Sequence, residues 1–321
     1  MARTRDLVVG IDLGGTNFAV GIVDNRGRVL GRSKKKTKAR EGRDAVLARI
    51  VEAVGAACAD AGVAQKSLRA AGIGAPSAID IPRGLVINSG NLRWKNEPLR
   101  ELLARRLHIP VAVDNDVNVA LWGEHRHGAA KARQHALGVW VGTGVGGALL
   151  LNGQLWHGPT WTAGEIGQTV LFPGAPHGHR TLEELCSRNG IVSSMRARAG
   201  FHPASRFHEL LDEEQRGEAI GSGAIAKLWR DGDSLVRESI DAAAELLGVA
   251  IANQVTMLSV DCVVLGGGVS EALGAPFVKQ VRASFQRHVF PDTLRNCDIV
   301  LSERGGDAGV VGAAALARER V

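Results

Sequence analysis

Three glycine-rich segments, each directly following an apolar run, constrain this chain more than any other feature. They are DLGGTN at residues 12–17, GTGVGG at 142–147 and LGGGV at 265–269. Glycine tolerates positive φ and lets backbone N–H groups approach a ligand without a Cβ in the way. Three such turns can meet one phosphorylated ligand only if two lobes of the chain face each other. The pattern therefore predicts a nucleotide-dependent phosphoryl-transfer enzyme.

Length and composition are those of a globular protein with two domains. The chain has 321 residues, of which 45% are hydrophobic. No apolar stretch approaches the ~20 residues of a membrane span, and the N-terminal residues lack the pattern of a signal peptide. We expect a cytoplasmic protein without a membrane partner. Its four cysteines are scattered, which predicts buried free thiols rather than disulfides or a cysteine-rich zinc site: Cys58, Cys186, Cys262 and Cys297.

The net charge of +6 raises the question of a nucleic-acid partner. The densest basic run comprises residues 34–36, Lys38 and Arg40, and it has no interleaved aromatic residue. We interpret this run as a solvated loop. The chain has no Tyr and only 4% aromatic residues, which argues against a stacking surface for single strands. We expect no nucleic-acid partner.

The apolar periodicity predicts two similar α/β halves. The first half has the order βββαβαβ, with strands at 7–11, 18–23, from 29, at 70–74 and at 111–113, and helices at 46–58 and 99–107. A helix near 117–124 leads into the second half, which has strands at 136–141, 147–151 and 262–265 and a helical region over about 187–253. We predict an N-terminal domain at 1–120, to which a helix at about 308–321 returns, and a larger domain at 121–307.

The glycines at 142, 144 and 147 satisfy the G-x-G-x-x-G pattern of dinucleotide-binding proteins. That pattern requires a helix after the glycines. Here residues 148–151 read as a strand, followed by the hairpin turn signal Asn152-Gly153. The segment DLGGTN likewise leads into a strand. Both are therefore predicted to be phosphate-binding β-hairpins, and no Walker-type G-x-x-x-x-G-K-[ST] sequence is present.

Asp116 is the candidate catalytic base. Phosphoryl transfer to an alcohol needs a carboxylate that accepts the hydroxyl proton. Asp116 follows the strand at 111–113 and precedes a helix, and α/β proteins bind ligands at such strand ends. The alternative is that Asp114 or Asp116 only caps the helix.

The ordered motifs resemble those of the ROK family of bacterial sugar kinases and repressors over nearly the whole chain. These motifs are the three glycine segments, the turn at 72–76, Asn91-Leu92 with Trp94, Asn115-Asp116 with Asn118, the segment 163–167, and Leu182-Glu183. The resemblance implies an α/β, duplicated actin/hexokinase-like (ribonuclease H-like) fold with two lobes and a central cleft. It also implies ATP-dependent phosphorylation of a hexose, with glucose as the expected acceptor, Mg²⁺ as the metal, and a homodimer.

The resemblance also implies roles for individual residues. Asp116 would be the catalytic base. The expected sugar-binding residues are Asn91, Asn115, Glu165, Gln168 and Glu183. The expected phosphate-binding residues are Asp12, Gly14, Gly15, Thr16, Asn17, Gly142, Thr143 and Gly144. Gly267 and Gly268 would lie near the adenosine.

The chain departs from the family pattern in two places. Gln168 stands where the family usually has a histidine that touches the sugar and binds structural zinc. The usual C-x-C-G-x-x-G-C run is replaced by residues 172–181, which contain His177 and His179 but no cysteine. A structural zinc site needs four ligands of the cysteine or histidine type. We therefore expect no structural zinc, and whether the two histidines bind a metal stays open.

Several alternatives to a glucose kinase remain. The acceptor could be fructose, mannose or an amino sugar, and the donor could be polyphosphate instead of ATP. A sugar-sensing ROK repressor would carry a helix-turn-helix module before DLGGTN, where only eleven residues stand, so we expect no such module. A non-catalytic sugar-binding protein is a further alternative, and the presence of Asp116 argues against it.

Overall fold

A computed structural model describes residues 6–321, and this part of the chain divides into two compact units. The first unit comprises the chain up to Gln134, together with Ala148–Ala163 and Glu303–Val321. The second unit comprises His135–Gly147 and Gly164–Ser302.

Strands and helices occur in groups along the chain. The strands are β1 (Leu7–Leu13), β2 (Asn17–Val23), β3 (Val29–Lys36), β4 (Leu68–Ala75), β5 (Ala78–Asp80), β6 (Leu85–Ser89), β7 (Trp94–Glu97), β8 (Val111–Asn115), β9 (Ala136–Val141), β10 (Val145–Leu151), β11 (Gln154–Trp156), β12 (Cys262–Gly266) and β13 (Asp298–Leu301). The helices are α1 (Arg43–Asp60), α2 (Leu99–Leu107), α3 (Asp116–His127), α4 (Leu182–Cys186), α5 (Arg188–Arg198), α6 (Phe207–Gln215), α7 (Ser222–Asp231), α8 (Ser234–Leu258), α9 (Gly267–Leu273), α10 (Ala275–His288) and α11 (Ala308–Arg320).

The first unit is built on a five-stranded sheet with the order β3-β2-β1-β4-β8. β1 pairs antiparallel with β2 and parallel with β4, and β4 pairs parallel with β8. This register aligns Asp12 with Gly74 and Gly74 with Asp114, so the carboxyl ends of three strands end at one edge of the sheet. Parallel strands present ligand-binding residues at this edge.

Helix α11 packs closely on this sheet because the facing strand positions are glycines. A Cβ at Gly10 would overlap the carbonyl of Val310, and a Cβ at Gly72 would overlap the carbonyl of Ala313. Ten residues of α11 are buried. The last helix of the chain is therefore part of the core of the first unit.

Two predictions for the first unit were wrong. The first part of the basic run is not a loop, because Lys34–Lys36 belong to β3 and pair with β2, with Lys36 opposite Asn17. Lys38 and Arg40 follow the end of this strand. Lys34 and Lys36 are exposed and Lys35 is half-buried, as expected for the edge of a sheet. The order βββαβαβ was also incomplete, because a separate three-stranded sheet, β5-β6-β7, lies between β4 and α2 in sequence. Its strands are only three to five residues long and lack a long apolar run.

The second five-stranded sheet has the order β11-β10-β9-β12-β13, and β12 pairs parallel with both β9 and β13. The helical region predicted at 187–253 consists of four helices, α5 to α8. All four cysteines are buried thiols outside any disulfide, as predicted. Among residues 6–321, no helix is both long and apolar enough to cross a lipid bilayer.

Candidate active site

The first glycine segment forms the turn between β1 and β2, as predicted. The N–H of Gly14 donates to the carbonyl of Asn17 at 3.0 Å, which closes a tight turn. A Cβ at Gly15 would lie 2.8 Å from Cβ of Asn91, so the turn packs directly against this side chain. The buried Thr37 holds the turn from the end of β3: its hydroxyl donates to the carbonyl of Gly14 at 2.6 Å.

Asp12 is the penultimate residue of β1 and lies close to this turn in sequence. A Cβ at Gly309 would approach its carboxyl carbon to 2.6 Å, so only glycine fits there. Removal from water raises the pKa of Asp12 to about 6, although the positive charge of Lys34 acts in the opposite direction. The result is a carboxylate whose charge is poorly stabilised by the protein alone.

Asp116 and Asn115 occupy the junction between β8 and α3. Asn115 is the N-cap of α3, since its Oδ1 accepts from the N–H groups of Val117 at 2.8 Å and Asn118 at 3.1 Å. Its Nδ2 donates to the carbonyl of Ser77 at 3.2 Å. Asp116 is the first helical residue and is half-buried, and its Oδ1 lies 3.0 Å from the N–H of Val117. The cap is thus supplied mainly by Asn115, and Asp116 is not needed for it.

Asp114 is the fully buried centre of a polar cluster behind this junction. Its carboxylate accepts from Asn118 Nδ2 at 2.9 Å and from Arg320 Nη1 at 2.9 Å, and His157 Nε2 lies 2.9 Å from its Oδ2. Because a carboxylate only accepts, His157 carries its proton on Nε2. Burial raises the pKa of Asp114, but His157 and Arg320 outweigh that effect and hold it below its usual value. The cluster anchors the strand end that carries Asn115 and Asp116.

The second unit contains the second glycine turn, between β9 and β10. The N–H of Gly142 donates to the carbonyl of Gly144 at 2.8 Å. Glu183 closes the turn from α4, because its Oε2 accepts from the N–H of Val145 at 2.9 Å. A Cβ at Gly144 would overlap Glu183 Oε2 and lie 3.1 Å from the carboxyl carbon, so this glycine is required by Glu183.

Three predicted sugar-binding residues of this unit are adjacent to one another. Gln168 Nε2 donates to Glu183 Oε1 at 3.1 Å. Partial burial, and secondly the negative charge of Glu183, raise the pKa of Glu165. Glu165 and Gln168 stand at the two ends of a short 3₁₀ turn, Ile166–Gln168. Glu183 thus contacts both the glycine turn and one of the predicted sugar-binding residues.

The third glycine segment leads from β12 directly into α9. Gly267 has φ of 84°, and a Cβ there would lie 2.6 Å from the carbonyl oxygen of Val141, the last residue of β9. Gly268 is exposed. Two of the three glycine segments are therefore neighbours in the second unit.

The segment that replaces the cysteine-rich run is held together by Glu184. Its carboxylate accepts from the N–H groups of Gly178 at 3.1 Å, Arg180 at 2.7 Å and Thr181 at 3.0 Å. These hydrogen bonds lower the pKa of Glu184. His177 and His179 are both exposed, and residues 6–321 contain no cluster of three or more His, Cys, Asp or Glu side chains suited to a metal ion.

Sequence reasoning missed the partners that hold these predicted residues. Four residues outside the recognisable motifs contact the predicted residues or their neighbours: Thr37, His157, Arg320 and Glu184. Arg188, whose Nη2 donates to Thr143 Oγ1 at 3.0 Å, was missed as well. No local pattern marks such residues, because their partners are remote in sequence: Arg320 is 206 positions from Asp114.

Comparison with known proteins identifies the fold as actin/hexokinase-like, as predicted. A ROK family glucokinase from Streptomyces griseus, solved in complex with glucose and AMPPNP, superposes with a TM-score of 0.84. It is 30% identical in sequence, and the match covers 98% of this chain and 99% of that one.

The pattern of the ROK family matches residues 8–320, and the chain belongs to this family. A glucokinase from Halalkalibacterium halodurans is 30% identical over 97% of this chain and 95% of its own length. A xylose repressor from Caldicellulosiruptor bescii is 25% identical over 96% of this chain and 77% of its own length. The family thus contains both kinases and regulators, and the glucokinase matches support a sugar kinase.

Proposed function

We propose that this protein transfers a phosphoryl group from ATP to glucose and forms glucose 6-phosphate. The observation that carries this proposal is the position of Asp116. It stands at the carboxyl end of a parallel strand, it is half-buried, and Asn115 relieves it of the capping role. The similarity to glucokinases, one of them solved with glucose and AMPPNP, supports both substrates.

Asp116 acts as the general base in this proposal. Its carboxylate accepts the proton of the attacking sugar hydroxyl as the oxygen bonds to the terminal phosphorus of ATP, and ADP leaves. Asn118, His157 and Arg320 keep Asp114 fixed two residues away. This anchoring limits movement of the base, and a small displacement of a catalytic group is costly in rate.

The two glycine turns supply phosphate-binding backbone in this proposal. Gly14 and Gly142 use their N–H groups to close the two turns and would border the phosphates. The N–H donors for phosphate oxygens would come from Gly15, Thr16 and Asn17 in the first unit and from Thr143 and Gly144 in the second. Gly142 has open space where a Cβ would stand, which suits close approach of a ligand. Gly267 and Gly268 would border the adenosine.

Asp12 would hold Mg²⁺ with the phosphates. The fit rests on the chemistry of its carboxylate, which is an oxygen ligand of the kind Mg²⁺ prefers. Burial raises its pKa to about 6, so a bound cation would stabilise the charged form. When bound, Mg²⁺ supplies positive charge that offsets the charge of the phosphate oxygens.

The sugar would bind to Asn91, Asn115, Glu165, Gln168 and Glu183. Carboxylates and amides are the groups that pair with several hydroxyls at once. Asn115 Oδ1 is already used by the cap of α3, so only its Nδ2 has a further N–H to offer. Gln168 can donate to or accept from a hydroxyl while Glu183 orients it.

A hexose panel with a coupled ADP assay tests the proposal. Glucose should have the highest kcat/KM, and 2-deoxyglucose should be distinctly poorer because unpaired polar groups penalise a missing hydroxyl. A tenfold preference for fructose, mannose or an N-acetylated sugar would contradict glucose as the acceptor, while the proposal of a hexose kinase would stand. Sugar binding without turnover by ATP or polyphosphate would favour a regulator, in line with the repressor relative.

A further inference from the structure

Arg188 is attached to the second glycine turn at two points. Its N–H donates to the carbonyl of Gly142 at 2.8 Å, and its Nη2 donates to Thr143 Oγ1 at 3.0 Å. The residue begins α5, whose N-cap is Ser187. The guanidinium is therefore held beside the turn by its own backbone and by one side-chain hydrogen bond.

The charge of this guanidinium is not neutralised by the protein. Within residues 6–321, no carboxylate forms an ion pair with Arg188, although many arginines of the chain do pair with one. Glu183, the acid of α4 that contacts the turn, is bound to the N–H of Val145 and to Gln168. Arg188 is half-buried and Thr143 is exposed, so the hydrogen bond between them lies at the surface of the turn.

We propose that Arg188 binds the phosphates of the nucleotide at the 142–144 turn. This inference rests on the proposed kinase function and adds a residue outside the motifs. An arginine offers five N–H donors in a planar fork, and only one is used by Thr143, so others can contact phosphate oxygens. Backbone N–H groups of a glycine turn bind phosphate without any positive charge, and Arg188 supplies that charge.

A merely structural role makes a different prediction. If Arg188 only holds the turn through Thr143, a neutral donor of similar length should replace it. If it binds phosphate, the charge itself matters, and the loss should be confined to ligands that carry phosphates. Adenosine and AMPPNP share the base and ribose, so comparing them isolates the phosphate contribution.

The experiment measures binding of adenosine and of Mg·AMPPNP to Arg188→Gln by calorimetry at low and moderate salt. Glutamine keeps a donor for Thr143 and removes the charge. Affinity for AMPPNP should fall about 10- to 100-fold, since hydrogen bonds between charged groups are the strong ones. Affinity for adenosine and for glucose should stay within about twofold, and the salt dependence of AMPPNP binding should become weaker.

Two further variants keep the test decisive. Arg188→Lys retains the charge and should recover most of the lost AMPPNP affinity. Arg196→Gln, on the same helix but paired with Glu214 at the surface, is the matched control and should bind both ligands as the wild type does. Unchanged AMPPNP affinity in Arg188→Gln, or an equal loss for adenosine and AMPPNP, would overturn the inference. Failure of the wild type to bind any nucleotide would instead refute the proposed function, and the inference with it.

Discussion

Replacing Gly144 with alanine should weaken binding of both substrates. The reason is that the carboxylate of Glu183 contacts both the predicted phosphate-binding turn and the predicted sugar-binding residue Gln168. The added Cβ would overlap Glu183 Oε2, so the carboxylate has to move. Oε2 accepts from the N–H of Val145 at 2.9 Å, and Oε1 accepts from Gln168 at 3.1 Å. The move therefore loosens the glycine turn and misorients Gln168.

The expected size follows from these two hydrogen bonds. A hydrogen bond to a charged group contributes about 1.5–3 kcal/mol, and 1.36 kcal/mol corresponds to a factor of ten. Loss of the bond to Val145 should weaken AMPPNP binding by roughly 10- to 150-fold. Glucose affinity should fall by a similar or smaller factor, because Glu183 and Gln168 both belong to the proposed sugar site.

Separate calorimetric titrations of glucose and AMPPNP measure the two losses. A double-mutant cycle with Glu183→Ala isolates the cause, because the methyl group at position 144 meets no carboxylate in that background. Adding Gly144→Ala to Glu183→Ala should then change the affinity for glucose or for AMPPNP by no more than about twofold. Gly142→Ala is the steric control for the sugar, since its Cβ meets no atom within 4 Å, and glucose affinity should be unchanged. Additive losses in the cycle, or unchanged glucose affinity in Gly144→Ala, would refute this reasoning.

Other predictions concern single sites. Burial raises the pKa of Asp12 in the folded protein to about 6, above the ordinary value of an aspartate, so stability falls as pH rises from about 4 to 6. Asp12→Asn should therefore raise Tm more at pH 8 than at pH 4. Asp114→Asn should lower the free energy of unfolding by about 3 kcal/mol in urea titrations, because Arg320 loses its buried partner. The control Asp292→Asn, at an exposed ion pair, should lower the free energy of unfolding by less than about 1 kcal/mol. Gln168→Ala should raise KM for the sugar several-fold and leave KM for ATP nearly unchanged in steady-state assays. Elemental analysis should find well under one zinc per chain, and a zinc-specific chelator should leave activity intact; one zinc per chain with chelator-sensitive activity would contradict this.

The elements predicted well from the sequence are those with a strong local signal. The strand before Gly14 and the strand after it were found because an apolar run, a glycine turn and a second apolar run follow one another within 17 residues. Helix α2 was recognisable from its leucine spacing and from Pro98 just before it. Asn152-Gly153 marked a turn, and both residues have positive φ in the structure.

The errors arose where the partner of a segment decided its structure. Lys34–Lys36 form a strand because β2 pairs with them, which no local propensity of three lysines indicates. The three strands β5 to β7 are stabilised by pairing with each other, since each is too short to show a clear periodicity. The bond between Arg188 and Thr143 spans 45 positions, and that between His157 and Asp114 spans 43. Such contacts require the fold, and they account for the part of the candidate site that the motifs did not contain.

The turnover of Asp116→Asn measures the central claim most directly. The substitution keeps the size of the side chain and removes its basicity, while Asn115 continues to cap α3. Glucose-dependent ADP formation should fall about 10²- to 10⁴-fold in kcat, and calorimetric glucose affinity should stay within a few-fold of the wild type. Turnover close to that of the wild type would contradict the assignment of Asp116 as the base, and with it the account of this site as a hexose kinase centre.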